Sequence, residues 1–133
     1  ELNKVKTLIT YYQQIKDITN REKQLIAEYQ RCWNLLKNDK NFTPDEVEYM
    51  SKVYQGILDD TVKNIDQLAM IINSFRTQMS DAKRLEIINA VGENVEQNFA
   101  DLKKFNVENA LLSVNRTVAK EDVVKVRKLY GIE

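Results

Sequence analysis

The side chains of this chain that could do chemistry are a few clustered carboxylates, one thiol and six tyrosines. Asp45, Glu46 and Glu48 form one acidic group, and Asp59 and Asp60 a second. Paired carboxylates act as acid and base only when a shaped, partly dry site holds them. The spacing here sets them at a helix start and on a polar helix face, where their charge is solvated. Histidine is absent. That excludes Ser–His and Cys–His nucleophile pairs, histidine metal ligands, and the Glu-x-x-His di-iron site that helical bundles use for catalysis. The three glycines stand alone at 56, 92 and 131, so no glycine-rich phosphate loop exists. We therefore expect no catalytic, cofactor-binding or metal-binding residue, no cofactor, and no enzyme activity.

Cys32 is the only cysteine, which rules out a disulfide within the chain. It stands beside Trp33 on an apolar stripe and reads as a small core residue. Two Asn-x-Thr triplets, Asn41-Phe42-Thr43 and Asn115-Arg116-Thr117, match the glycosylation pattern, but Pro44 follows the first directly and such triplets arise often by chance. Tyrosines are the better lead. Tyr11 and Tyr12 are adjacent and cannot both face one core, and Tyr130 ends a Lys-Leu-Tyr run. An exposed tyrosine offers contact area at low entropic cost. Tyr11, Tyr12 and Tyr130 are accordingly the candidate protein-interaction residues, against the plainer reading that they lie along a stripe edge.

Charge sets further bounds. With 20 basic and 20 acidic residues the net charge is zero, and no global field draws in nucleic acid or an anionic membrane. The run Lys125-Val126-Arg127-Lys128 is short enough to be ordinary solvated helix surface. The balance conceals a pattern: +3 over residues 1–40, −6 over 41–101 and +3 over 102–133. Either basic outer segments pack beside an acidic middle, or one sign forms a binding face. There is no run of about 18 apolar residues, so nothing in this segment spans a membrane.

These residues must be positioned by helices. Only 3 Gly and 1 Pro in 133 residues leave long stretches without breakers, and Leu, Ile, Lys, Glu, Gln and Asn abound. The length suits one domain. A first helix over 2–38 is predicted from Leu2, Val5, Leu8, Ile9, Tyr12, Ile15, Ile18, Leu25, Ile26, Tyr29, Cys32, Trp33 and Leu36, which recur in steps of three and four. It would be roughly 55 Å long. Its stripe weakens at Thr19 and Glu22, a local loosening or a stretch that faces solvent.

A polar turn at 38–41 precedes Thr43-Pro44-Asp45-Glu46, which reads as a capping box with Pro at the first helical position and Phe42 and Val47 as the staple. The second helix is predicted over 44–78, with Ile65, Leu68, Ile71, Ile72 and Phe75 in its stripe and Thr61 filling a seam position. Gly56 within it is either tolerated or marks a close helix approach. Ser80 reads as the cap of a third helix over 81–105 or longer. Gly92 there marks a kink or a close backbone, and 106–109 is the soft spot. A fourth, short helix over 120–130 puts Val123, Val126 and Tyr130 on one face and stops at Gly131. The predicted fold is all-α: long antiparallel helices in an elongated three-helix bundle or coiled-coil-like hairpin, plus the C-terminal helix.

The order of Asp39-Lys40-Asn41-Phe42-Thr43-Pro44-Asp45-Glu46, the helix after it, and Met79-Ser80-Asp81-Ala82-Lys83-Arg84-Leu85 before a third helix resembles a helical protein encoded in the transfer operons of conjugative transposons from Bacteroidetes. That group is itself similar, in its long helices, to minor pilus subunits of type IV secretion systems. The resemblance covers roughly residues 20–106 and rests on turn motifs and spacing. It implies a precursor with a signal sequence before Glu1, a periplasmic or cell-surface location, and a structural role in the DNA-transfer apparatus with its other proteins as partners. It supplies no catalytic positions. The alternative from seam spacing alone is an intracellular helical adapter or a coiled-coil homo-oligomer.

Overall fold

Four residues set where the second helix begins. The Glu46 amide donates to Thr43 Oγ1 at 3.2 Å, and the Thr43 amide donates to the Glu46 carboxylate at 3.0 Å, closing the predicted box. Phe42 and Val47 flank it and pack into the same apolar cluster. The Arg116 guanidinium grips both Glu46 oxygens, at 2.8 and 2.9 Å. That ion pair first, and the Thr43 amide second, pull the Glu46 carboxyl down to about 2.

The structure, a computed structural model, describes residues 2–74, 79–117 and 120–132. Its helices are α1 (Leu2–Leu36), α2 (Pro44–Ser74), α3 (Asp81–Arg116) and α4 (Lys120–Tyr130). The fold is all-α, with three long packed helices and a short fourth. The first helix ends two residues before the predicted 38, because the hydrogen-bond ladder tightens there: Asn38 donates to Leu35 and Asp39 to Leu36. The predicted stretch of α2 to residue 78, with Phe75, lies outside the described residues. No described helix is long and apolar enough to cross a membrane.

Ser80 caps α3 by accepting from the Lys83 amide. Arg84, buried, pairs with Asp81 and donates to the Ser74 hydroxyl and carbonyl, tying the end of α2 to the start of α3. At the other end Gly131, at φ 73°, sits in the left-handed region. Ile132 N–H then reaches back to the Arg127 carbonyl at 2.9 Å, the mark of a Schellman stop.

The long helices do not share contact equally. α3 lies against both α1 and α2, whereas α1 and α2 meet each other far less. The expected three-helix bundle is therefore the arrangement seen, with α3 at its centre. Two apolar clusters fill the interior. One, near the α1–α2 turn, holds Leu25, Cys32, Leu36, Phe42, Met50, Tyr54, Leu102, Ala110 and Tyr130. The other, toward the α2–α3 connection, holds Tyr11, Ile15, Leu68, Ile71, Ile88, Val91 and Val95. Buried polar residues lie between them: Glu22 on α1, Thr61 and Asn64 on α2, and Asn98 on α3.

The predicted soft spot at 106–109 is a correction. α3 runs unbroken through it. Asn106 is buried, accepts from the Tyr54 hydroxyl and donates to Glu28 at 2.7 Å. Glu28 in turn accepts from Arg31, which also donates to the Tyr130 carbonyl. Side-chain partners on other helices satisfy an amide that local reasoning assigns to a break. Asn109 bonds its own helix, at the Phe105 carbonyl.

The glycine readings also change. Gly92 lies in unbroken helix, and what approaches it is the Ile18 side chain, 3.4 Å from where a Cβ would stand. Nothing lies within 4 Å of a Cβ at Gly56, so no helix approaches closely there.

Urea denaturation should separate two variants. Gly56→Ala, on exposed mid-helix backbone, raises stability by about 0.5–1 kcal/mol. Asn106→Ala strands the buried Tyr54 hydroxyl and lowers stability by about 2 kcal/mol. A neutral Asn106→Ala would show that the hydrogen bonds across α3 contribute nothing net.

Candidate interaction surface

The groups with reactive potential are used structurally or solvated. Cys32 is fully buried, and burial pushes its thiol up, away from the nucleophilic thiolate. Asp45, Glu48 and Asp59 are exposed, and Asp60 accepts from Asn98. Among the described residues, no group of three His, Cys, Asp or Glu side chains could hold a metal. The Asn41 amide of the first Asn-x-Thr triplet donates to the Ser113 carbonyl and hydroxyl and to the Thr117 hydroxyl. The charge pattern is partly met by packing, since Arg21 pairs with Glu96 and Arg116 with Glu46. Both pairs join a basic outer segment to the acidic middle.

The three candidate tyrosines divide. Tyr12 is 60% exposed, as an interaction residue must be. Tyr11 is only 4% exposed, and its hydroxyl donates to the Asp81 carbonyl. Tyr130 is 5% exposed and donates to Asp39 at 2.8 Å. The exposure that recommended Tyr11 and Tyr130 is therefore absent. Tyr11 takes the inward position because the buried stripe of α1 runs through Tyr11 and Ile15. Tyr130 is drawn in because Asp39, at the head of the α1–α2 turn, supplies an acceptor beside the apolar cluster. Burial and the Asp39 charge raise its hydroxyl above the ordinary tyrosine range.

The apolar surface lies elsewhere. α1 and α2 face each other across an open groove, walled by Ile15, Thr19, Glu22, Lys23 and Ile26 on one side and Ile65, Leu68, Ala69 and Ile72 on the other. Ile65 and Ile72, predicted as stripe residues, are 45% and 47% exposed. Leu2, Val5, Leu8 and Ile9 extend the exposed apolar character of α1 toward its N-terminus. A second, larger trough between α1 and α3 is more polar, with Asp17, Glu93 and Glu96 exposed along it.

Glu22 sets the first groove apart. The sequence marks it as a polar residue on an apolar stripe, loosened or turned to solvent. The structure buries it to 4% exposure, and its Oε2 has no hydrogen-bond partner among the described residues. Burial pushes the carboxyl up to about 7. The signal was thus legible as an anomaly in the stripe, but its direction was not.

No family model, curated protein or solved structure matches the chain.

Glu22 should make stability depend on pH. The unfolded group ionises near 4.5, the folded one near 7. Between these values the folded state binds more protons, so stability falls as pH rises through the interval and stays lower above it. Glu22→Gln removes that slope. Urea titrations should find it more stable than wild type by about 1–3 kcal/mol at pH 8 and nearly equal at pH 4. The same difference at both pH values would contradict a buried, unpaired carboxyl.

Proposed function

We propose that this chain is a non-enzymatic structural component of a conjugative DNA-transfer apparatus of the type IV secretion kind, working through helix-mediated protein contacts at the periplasmic side or cell surface. One observation carries the contact part of this reading. Two long helices leave apolar side chains exposed, Ile9 on one and Ile65 and Ile72 on the other. Exposed apolar patches of this kind mark protein–protein surfaces.

The placement in a transfer apparatus rests on the resemblance of the 39–46 and 79–85 motifs. In the fold those motifs are the capping box and the Arg84 clamp, the two places where one long helix hands over to the next. They fix helix spacing and carry no chemistry. Partners under this reading are other proteins of the transfer complex, and DNA is not contacted directly. The exposed seam also supports a second reading, an intracellular adapter or coiled-coil dimer.

Deleting the gene from a donor strain should lower DNA-transfer frequency by several orders of magnitude, with growth unchanged and transfer restored by a plasmid copy. Fractionation of the same cells should place the protein outside the cytoplasm. Normal transfer from the deletion strain would remove the proposal, and a cytoplasmic location would favour the adapter.

A further inference from the structure

Each long helix interrupts its buried stripe with polar side chains at the same level. On α1 Glu22 lies between Ile15 and Leu25, on α2 Thr61 and Asn64 lie between Tyr54 and Leu68, and on α3 Asn98 lies between Val95 and Leu102, all of them buried. Links between helices fix that level: Asn94 donates to Asn64, Asn98 to Asp60, and Arg21 to Glu96. The two apolar clusters stop on either side of this layer and do not merge. Two cores divided by a polar layer can open one at a time, since local opening is set by the contacts within each unit.

α1 serves the two cores unequally. It gives the first Leu25, Cys32 and Leu36, with Tyr29, Trp33 and Leu35 packed beside them. Glu28 and Arg31 add the bonds to Asn106 and to the Tyr130 carbonyl. To the second core it gives Tyr11 and Ile15, with Ile18 alongside. The Tyr11 hydroxyl on the Asp81 carbonyl ties this arm to α3, and so does the Arg21–Glu96 pair, which is solvent-exposed and therefore weak. α2 and α3 hold each other independently there, through Arg84 on Ser74 and Asn94 on Asn64. The arm of α1 is the element least held.

Glu22 stands where the arm joins the rest of α1. Its Oε2 is sealed from solvent and has no partner among the described residues. A neutral carboxyl tolerates such a site far better than a carboxylate does. Charged residues at this level are Arg21 and Lys23 on α1, Asp60 and Lys63 on α2, and Glu93 and Glu96 on α3. Lys23, Lys63 and Glu93 are exposed, Arg21 and Glu96 pair with each other, and Asp60 accepts from Asn98. α4 packs at the other end, on Asp39. Burial, rather than any of these charges, raises the Glu22 carboxyl from 4.5 to about 7.

We propose that Glu22 is a pH-operated latch: its ionisation releases the arm of α1, residues 2–21, from α2 and α3, while the end that holds Tyr54 and Asn106 stays closed. Release uncovers Ile88, Val91 and Val95 on α3 and Leu68 and Ile71 on α2, an apolar face that the closed form hides. Opening gives Glu22 to water, so the closed form binds its proton more tightly than the open form does. Closure is therefore strongest below about 4.5, weakens as pH rises to about 7, and stays weak above it. This goes beyond a change in overall stability, because only one of the two cores responds. It also holds wherever the protein acts.

Thiol labelling of the whole chain separates the cores. Val91→Cys places a thiol in the second core, and Cys32 reports on the first. Iodoacetamide labelling is read residue by residue by mass spectrometry, each rate divided by that of free cysteine at the same pH. From pH 5 to pH 8 labelling at position 91 should rise about tenfold or more, with Cys32 protected throughout. Adding Glu22→Gln should abolish the rise. Ile88→Cys repeats the measurement at a second site, and circular dichroism checks that each variant folds. No rise at either site, a rise that survives Glu22→Gln, or labelling of Cys32 in step with the second core overturns the proposal.

Discussion

A single hydrogen-bonded relay joins all four helices. It begins at the Tyr54 hydroxyl on α2, passes through Asn106 on α3 to Glu28 on α1, and continues through Arg31 to the Tyr130 carbonyl at the end of α4. Burial alone would push Glu28 up, but its bonds to Arg31 and Asn106 outweigh that and hold it below the ordinary carboxylate range. The ring of Tyr54 is packed as tightly as its hydroxyl is bonded. Tyr29, Trp33 and Phe105 meet it edge-on, with centroids 5.2, 5.6 and 5.3 Å away. Apolar contact could be shared among several helix registers. A buried hydroxyl with one acceptor admits only one.

That end of the molecule is closed in a second way. Asp39 accepts from the Asn41 amide and from the Ser113 and Tyr130 hydroxyls, while Asn41 reaches Ser113 and Thr117. The α1–α2 turn is therefore fastened to the end of α3 and to α4. Among the described residues, every buried side-chain polar atom there has a partner. The far half of the bundle is built differently. Beyond the layer of Glu22, Thr61 and Asn64 the interior is filled by Tyr11 and aliphatic residues, an open groove lies between α1 and α2, and apolar side chains face outward. Unsatisfied buried atoms occur in or beside this layer, at Glu22 Oε2 and Asn64 Nδ2. One end is thus over-specified and the other left open.

Local signals in the sequence were the most legible. The capping box at Thr43, the Ser80 cap and the Gly131 stop each depend on backbone groups within a few residues, and each stands in the structure where the sequence places it. Helix identity followed from periodicity. The choice of buried face did not. The alternatives Tyr11 and Tyr12 differ by only about 100° around α1, and both fit a stripe built from steps of three and four. Asn106 and Asn109 looked like breakers because an asparagine without a partner competes with its own backbone. Ile65 and Ile72 looked like core because nothing in a sequence says whether a second surface arrives to cover them.

The chain by itself determined that it would form long helices, where each of them starts, and that it lacks the imidazoles on which most catalytic bundles rely. These follow from interactions that reach no farther than one helical turn. Tertiary structure decided that α3 stands between α1 and α2, that Tyr11 and Tyr130 turn inward, and that Glu22 is buried beside an open apolar groove. Those outcomes depend on which surfaces meet across tens of residues of chain, where burial and hydrogen-bond satisfaction are settled jointly rather than residue by residue.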